Sequence, residues 1–240
     1  MKLPRQTYTS ARPDVAHISS DTYGLSKGGY ELFLYFCRYL LHKHKNPYKE
    51  ATLYCMLRVA ITGPESTGKS TLSQALATYF DAPLVAEYAR HYLETLGRSY
   101  IFEDLLHIAQ SQVAEEEQLI AKETADWLFA DTELLVMKIW SENAYQQCDA
   151  WILEQIPLRI YDFYLLTKPD IPWTPDPLRE HPELREYFFD LYEKELQSRG
   201  FAYGIVAGSS PQERLQCALL HLQKAFPEQT KGISFYPKKP

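Results

Sequence analysis

At 240 residues, 45% of them apolar, the chain has material for one α/β domain with a sizeable core and some length to spare. A net charge of −6 and the lack of a long basic run argue against nucleic acid as the main partner, because affinity for a polyanion comes largely from lysines and arginines neutralising phosphates. Four scattered cysteines (Cys37, Cys55, Cys148, Cys217) without a Cys-x-x-Cys pair argue against a zinc or disulfide framework and fit reduced thiols in the cytoplasm; the longest apolar run, residues 32–41, is too short to span a membrane and carries Arg38.

Residues 1–55 read as an N-terminal extension, poorly ordered or partly helical. Residues 1–28 are polar and rich in turn formers, and Glu31 to Lys43 fits a short aromatic helix. His42 and His44 fall in His-Lys-His-Lys-Asn-Pro, a basic loop in preference to a metal site. Met56 stands directly before the first strand, so 1–55 is expected to be an appendage or sequence upstream of a start at Met56.

From Met56 strand-like and helix-like segments alternate, the pattern of a parallel sheet with crossover helices. Strands are expected at Leu57–Ile61, Pro83–Ala86, Asp126–Ala130, Tyr161–Leu166 and Ala202–Val206. Helices are expected at Ser70–Tyr79, Tyr88–Leu96, Phe102–Glu123, through Trp140, around Trp151, at Glu183–Ser198 and at Pro211–Ala225. The long helix has an apolar side of Leu105, Ile108, Ala109, Val113 and Leu119, and its Glu115-Glu116-Glu117 run reads as a solvated face. The fold class is therefore α/β, a five-stranded parallel sheet flanked by helices over residues 56–228. A frayed tail from Pro227 leads into residues 229–240.

Between the first strand and first helix, Gly63-Pro64-Glu65-Ser66-Thr67-Gly68-Lys69-Ser70, followed by Thr71, fits G-x-x-x-x-G-K-[ST] in full and in the right context. Glycines let the backbone turn so that successive N–H groups converge on phosphate oxygens, and the helix that follows offers its positive end. Lys69 is placed for the β- and γ-phosphates of ATP and the Ser70 hydroxyl for magnesium.

In an open parallel sheet, ligands bind beyond the carboxyl ends of the strands. Two acids end strands here. Asp131 has the form of a magnesium-binding acid, or alternatively caps the next helix. Glu87 is the candidate base for an attacking hydroxyl, a role Asp131 could share, and Arg90 returns to the same side one turn on to grip substrate or to pair locally with Glu87. Glu65 is expected beside the acceptor. Residues 167–182, rich in proline and charge, read as a mobile lid loop. Arg179 and Arg185 are placed to close over the nucleotide, the alternative for Arg185 being a solvated helix face. Trp173 and Tyr88 are candidates for stacking a flat ring, with loop packing the alternative for Trp173.

Gly-Pro-Glu-Ser-Thr-Gly-Lys-Ser at 63–70, Glu87-Tyr88-Ala89-Arg90, Phe129-Ala130-Asp131-Thr132-Glu133, and Trp173 with Asp176 and Leu178-Arg179 together resemble the nicotinamide riboside kinase domain of NadR-type proteins, among the AAA-like P-loop ATPases. The resemblance covers about residues 57–225. It implies an adenylate-kinase-like core with the P-loop strand central. It also implies ATP-dependent phosphorylation of the ribose 5′-hydroxyl of a small nucleoside, nicotinamide riboside. The family's Asp-Thr-Asp step reads Asp131-Thr132-Glu133 here, and the first 55 residues show no nucleotidyltransferase motif, which implies a stand-alone kinase. The competing expectation is a regulatory switch that binds or slowly hydrolyses ATP and signals to a protein partner, or a kinase of another small metabolite.

Overall fold

The structure, a computed structural model, describes residues 56–122 and 125–232. The expected helix at Glu31–Lys43, the His42/His44 loop and the rest of residues 1–55 lie outside the described residues.

Five strands form one all-parallel sheet: β1 (Leu57–Thr62), β2 (Leu84–Val85), β3 (Trp127–Asp131), β4 (Phe163–Thr167) and β5 (Tyr203–Val206), in the order β2-β3-β1-β4-β5. The P-loop strand is central, as expected. Its neighbours hold it in register, with Ile61 opposite Asp131 on one side and Thr62 opposite Leu166 on the other.

Among the described residues seven α-helices follow the expected alternation: α1 (Lys69–Phe80), α2 (Tyr88–Thr95), α3 (Phe102–Lys122), α4 (Leu134–Tyr145), α5 (Ala150–Gln155), α6 (Arg185–Arg199) and α7 (Pro211–Ala225). Strand side chains alternate between two apolar layers. Val59, Ile61, Phe129 and Leu165 pack with α1 and α7 on one face. Ala60, Leu128, Tyr164 and Leu166 pack with α3, α4 and α6 on the other. Both faces are buried, which is why these strands read as nearly continuous apolar runs.

Two expectations are corrected here. Glu116 is not solvated: at 3% exposure it accepts hydrogen bonds from the Tyr161 hydroxyl at 2.6 Å and the Arg58 guanidinium at 3.3 Å, while Glu115 and Glu117 are exposed. A buried carboxylate persists only with such partners. Nor is the chain frayed directly after Pro227, because the Thr230 hydroxyl and N–H both donate to the Phe226 carbonyl and Thr230 is buried. No helix among the described residues is long and apolar enough to cross a membrane.

Candidate functional site

The P-loop crosses the end of β4 at very close range. Gly63 has φ +133°, and a Cβ there would lie 2.6 Å from the Thr167 hydroxyl and 2.9 Å from its carbonyl. No other residue fits that passage. Gly68, at φ +76°, then starts α1 directly at Lys69. The Lys69 ammonium donates to the carbonyls of Gly63 at 2.9 Å and Pro64 at 2.7 Å, which fixes its charge at the centre of the loop. Burial lowers its pKa, while the nearby carboxylates of Glu87, Asp131 and Glu65 favour the charged form.

Asp131 ends β3 at 4% exposure. Burial pushes its carboxyl up to about 6, against the downward pull of the Ser70 hydroxyl; Glu87 adds to the rise and Lys69 opposes it. Its Oδ1 is buried with no hydrogen-bond partner among the described residues. A hydroxyl and a carboxylate oxygen with spare lone pairs form a hard oxygen donor set, which fits magnesium. The helix-cap alternative for Asp131 is overturned. Glu133 caps α4, its Oε2 accepting the Leu135 N–H at 2.7 Å and its Oε1 the Thr62 hydroxyl at 3.0 Å. Between the two acids Thr132 takes φ +74°, a left-handed conformation costly for a β-branched residue. That turn leaves Asp131 with Ser70 and sends Glu133 under β1, where burial raises its carboxyl to about 7.

Beyond the P-loop opens a cavity of about 390 Å³. Glu87 and Arg90 stand on its wall, 3.8 Å apart. The local ion pair is thus present, and Arg90 also reaches across to Asp176 at 3.1 Å. Its lining also includes Tyr100, Trp140, Asn143, His181, Phe188 and Tyr192. Trp140 Nε1 donates to the Tyr100 hydroxyl at 3.1 Å, and that hydroxyl donates to Glu180 at 3.0 Å. Asn143 Nδ2 lies 3.0 Å from His181 Nε2.

Residues 177–181 line this cavity, and the 168–181 segment is fastened to the P-loop itself. The Ser66 hydroxyl accepts the Thr174 N–H at 2.9 Å, and Glu65 Oε2 accepts the N–H groups of Glu180 at 3.0 Å and His181 at 3.3 Å. Arg179 lines the cavity and donates to the Thr174 carbonyl at 2.5 Å.

The structure places some expected residues elsewhere. Arg185 is neither a solvated face nor a cavity residue: it donates to the carbonyls of Ser66 at 3.3 Å and Ile171 at 2.9 Å. Trp173 lies against it, with its ring centre 5.8 Å from the guanidinium carbon and away from the cavity wall. Tyr88 packs on Tyr92 and His107, and its N–H goes to Gln112. The aromatic rings that line the cavity are Tyr100, Trp140, Phe188 and Tyr192 instead. Val136, Trp140 and Asn143, like Phe188 and Tyr192, have helical spacing, which is the same whether the face meets a core or a cavity. The polar Asn143 at the end of an apolar stripe was the one available signal.

Residues 58–214 match the AAA domain family, more than half of the chain. The chain belongs to that family. Over 127 residues the chain is 27% identical to the trifunctional NAD biosynthesis/regulator protein NadR of Salmonella typhimurium, covering 50% of this chain and 30% of that protein. The chain thus spans less than a third of that relative's length. Among solved structures, NadR protein in complex with NAD and AMP-PNP superimposes with a TM-score of 0.61 at 20% identity, covering 77% of this chain and 52% of that one. NadR protein in complex with NR gives 0.58 at 21%, covering 77% and 53%. Deoxyadenosine kinase from M. mycoides gives 0.51 at 16%, covering 70% of this chain and 100% of that one. The AAA domain therefore has the P-loop fold seen in NadR proteins and in a nucleoside kinase, and the resemblance to NadR-type domains is borne out.

Proposed function

We propose that this domain transfers the terminal phosphoryl group of ATP to a hydroxyl of a small nucleoside, nicotinamide riboside foremost. One observation carries the reading. A single cavity joins the P-loop to an aromatic chamber, with Glu87 and Arg90 on the wall they share. At about 390 Å³ the cavity has room beyond the phosphate cradle, and its aromatic rings suit a flat base beside the loop. The likeness to NadR proteins, one of them named as an NR complex, supports nicotinamide riboside as the first acceptor to test.

The residues divide the work. The N–H groups of residues 63–70 and Lys69 hold the phosphates. Ser70 and Asp131 would hold magnesium, which supplies charge neutralisation on the phosphate oxygens. Glu87 takes the proton of the attacking hydroxyl, and Arg90 orients the acceptor against it. Tyr100 and Trp140 grip the flat ring, and Arg179 stabilises charge on the group in transfer. The lid over the cavity keeps water from competing with the hydroxyl.

The test is ADP release from magnesium-ATP with a panel of nucleosides, with products identified by mass. Phosphorylated nicotinamide riboside, formed well above background hydrolysis, is the expected result. Stimulation by a different nucleoside keeps the chemistry and changes the acceptor. Binding of ATP with no acceptor-stimulated turnover across the panel rejects the kinase reading in favour of a nucleotide switch.

A further inference from the structure

Arg214, in the first turn of α7, is 3% exposed, although it carries a full charge and does not itself line the cavity. Its guanidinium joins three loops. Nε and Nη2 donate to the Thr67 carbonyl at 3.3 and 2.9 Å, and Nη2 also donates to the Lys168 carbonyl at 2.5 Å. Nη1 donates to Asp170 Oδ1 at 2.8 Å and to the Gly208 carbonyl at 3.3 Å. Asp170 Oδ2 closes the ring by accepting the Gly208 N–H at 3.0 Å. Gly208 sits at φ +146°, where a Cβ would lie 2.8 Å from Glu213 Cβ, so the β5–α7 turn lies hard against the helix that bears Arg214.

The contact with Thr67 matters most. In a planar trans peptide the carbonyl and the N–H point in opposite directions. Drawing the Thr67 carbonyl outward to Arg214 therefore aims the next N–H, that of Gly68, inward to the phosphate cradle. The opposite side of the loop is held by the Thr67 hydroxyl, which donates to the Pro64 carbonyl at 2.8 Å.

We propose that Arg214 is a positioning residue for the donor nucleotide: from outside the P-loop it holds the Thr67–Gly68 peptide in its phosphate-binding orientation and ties it to Asp170 at the base of the lid and to Gly208. This rests on the reading of the P-loop as the ATP site, but not on the identity of the acceptor. The role needs the planar fork of arginine, since four separate acceptors lie around one guanidinium and a lysine ammonium cannot span them.

The experiment measures binding of a non-hydrolysable ATP analogue with magnesium by calorimetry, alongside the acceptor KM and the melting temperature. In Arg214→Lys, which keeps the charge, analogue affinity is expected to fall tenfold or more while the acceptor KM changes less than twofold. Asp170→Asn removes the carboxylate charge but keeps an acceptor oxygen for the buried guanidinium, guards against a variant that fails to fold, and is expected to weaken the analogue at least threefold. A merely structural role would lower the melting temperature and shift both substrates together. Parent-like analogue affinity in either variant overturns the proposal, as does an equal loss for donor and acceptor. A parent protein that binds no analogue overturns the ATP reading itself, a result separate from parent-like variants.

Discussion

Glu87 and Asp131 are both carboxylates near Lys69, yet their surroundings divide their roles. Asp131 is buried beside Ser70 with a bare oxygen, and burial holds its carboxyl near 6. Glu87 is half-buried on the cavity wall, paired loosely with Arg90 at 3.8 Å. The first suits a metal ligand and the second a proton acceptor. Glu87→Gln is therefore expected to lower kcat by about a hundredfold or more, the range typical of general-base removal, with ATP affinity changed little. Steady-state kinetics with separate nucleotide titration checks this. An unchanged kcat would transfer the base role to Asp131. A drop in ATP affinity of the same size would make Glu87 a binding group.

At the scale of elements, the cavity depends on how its helices begin. In the first turn of α3, Asp104 accepts the Ile101 N–H at 2.8 Å, the Tyr92 hydroxyl at 2.6 Å and two bonds from Arg98 at 2.6 and 2.9 Å. It thereby holds the 98–101 turn that brings Tyr100 to the chamber. The Arg98 guanidinium first, then the Tyr92 hydroxyl and the Ile101 N–H, outweigh burial and hold the Asp104 carboxyl far below the usual carboxylate range. A depressed acid stabilises the fold above its unfolded pKa and loses that contribution as pH falls through the folded one. Asp104→Asn is accordingly expected to cost on the order of 1–2 kcal/mol near neutral pH, with the deficit narrowing below about pH 4. Denaturant melts at two pH values read this directly, and a deficit independent of pH would contradict it.

Element order was legible because strand and helix leave different apolar periods, and because Gly63 to Ser70 has one structural context. The strand-end acids were legible for the same reason: β2 and β3 stop where apolar runs meet Glu87 and Asp131. The chamber was not, since Phe188 and Tyr192 at helical spacing look alike whether they face a core or a cavity. Nor could spacing show that Trp173 would fall under Arg185, or that Glu65 would hold lid N–H groups 115 residues away.

Across the whole molecule, neighbouring P-loop residues serve different masters. Lys69 and the loop backbone point to the phosphate side, while Glu65 and Ser66 hold the lid. Opening the lid must therefore break bonds made to the nucleotide loop itself. Glu65→Ala removes the acceptor of two lid N–H groups, each worth roughly 1 kcal/mol at this exposure. The acceptor KM is expected to rise by up to about thirtyfold, and ATP hydrolysis without acceptor to rise relative to transfer. ADP release with and without acceptor gives that ratio directly, and an unchanged ratio would detach Glu65 from lid closure.

Among the described residues the two outermost strands of the sheet are its shortest, Leu84–Val85 at one border and Tyr203–Val206 at the other. An unpaired border strand offers its free N–H and C=O groups as a template on which another chain can add, the usual route to edge-to-edge aggregation. Here the long apolar strands, whose sequences are the most prone to such pairing, are enclosed on both sides, and two- and four-residue strands stand guard outside them. Lengthening β2 or β5 in an engineered variant would carry a solubility cost, whatever it did for the stability of the sheet.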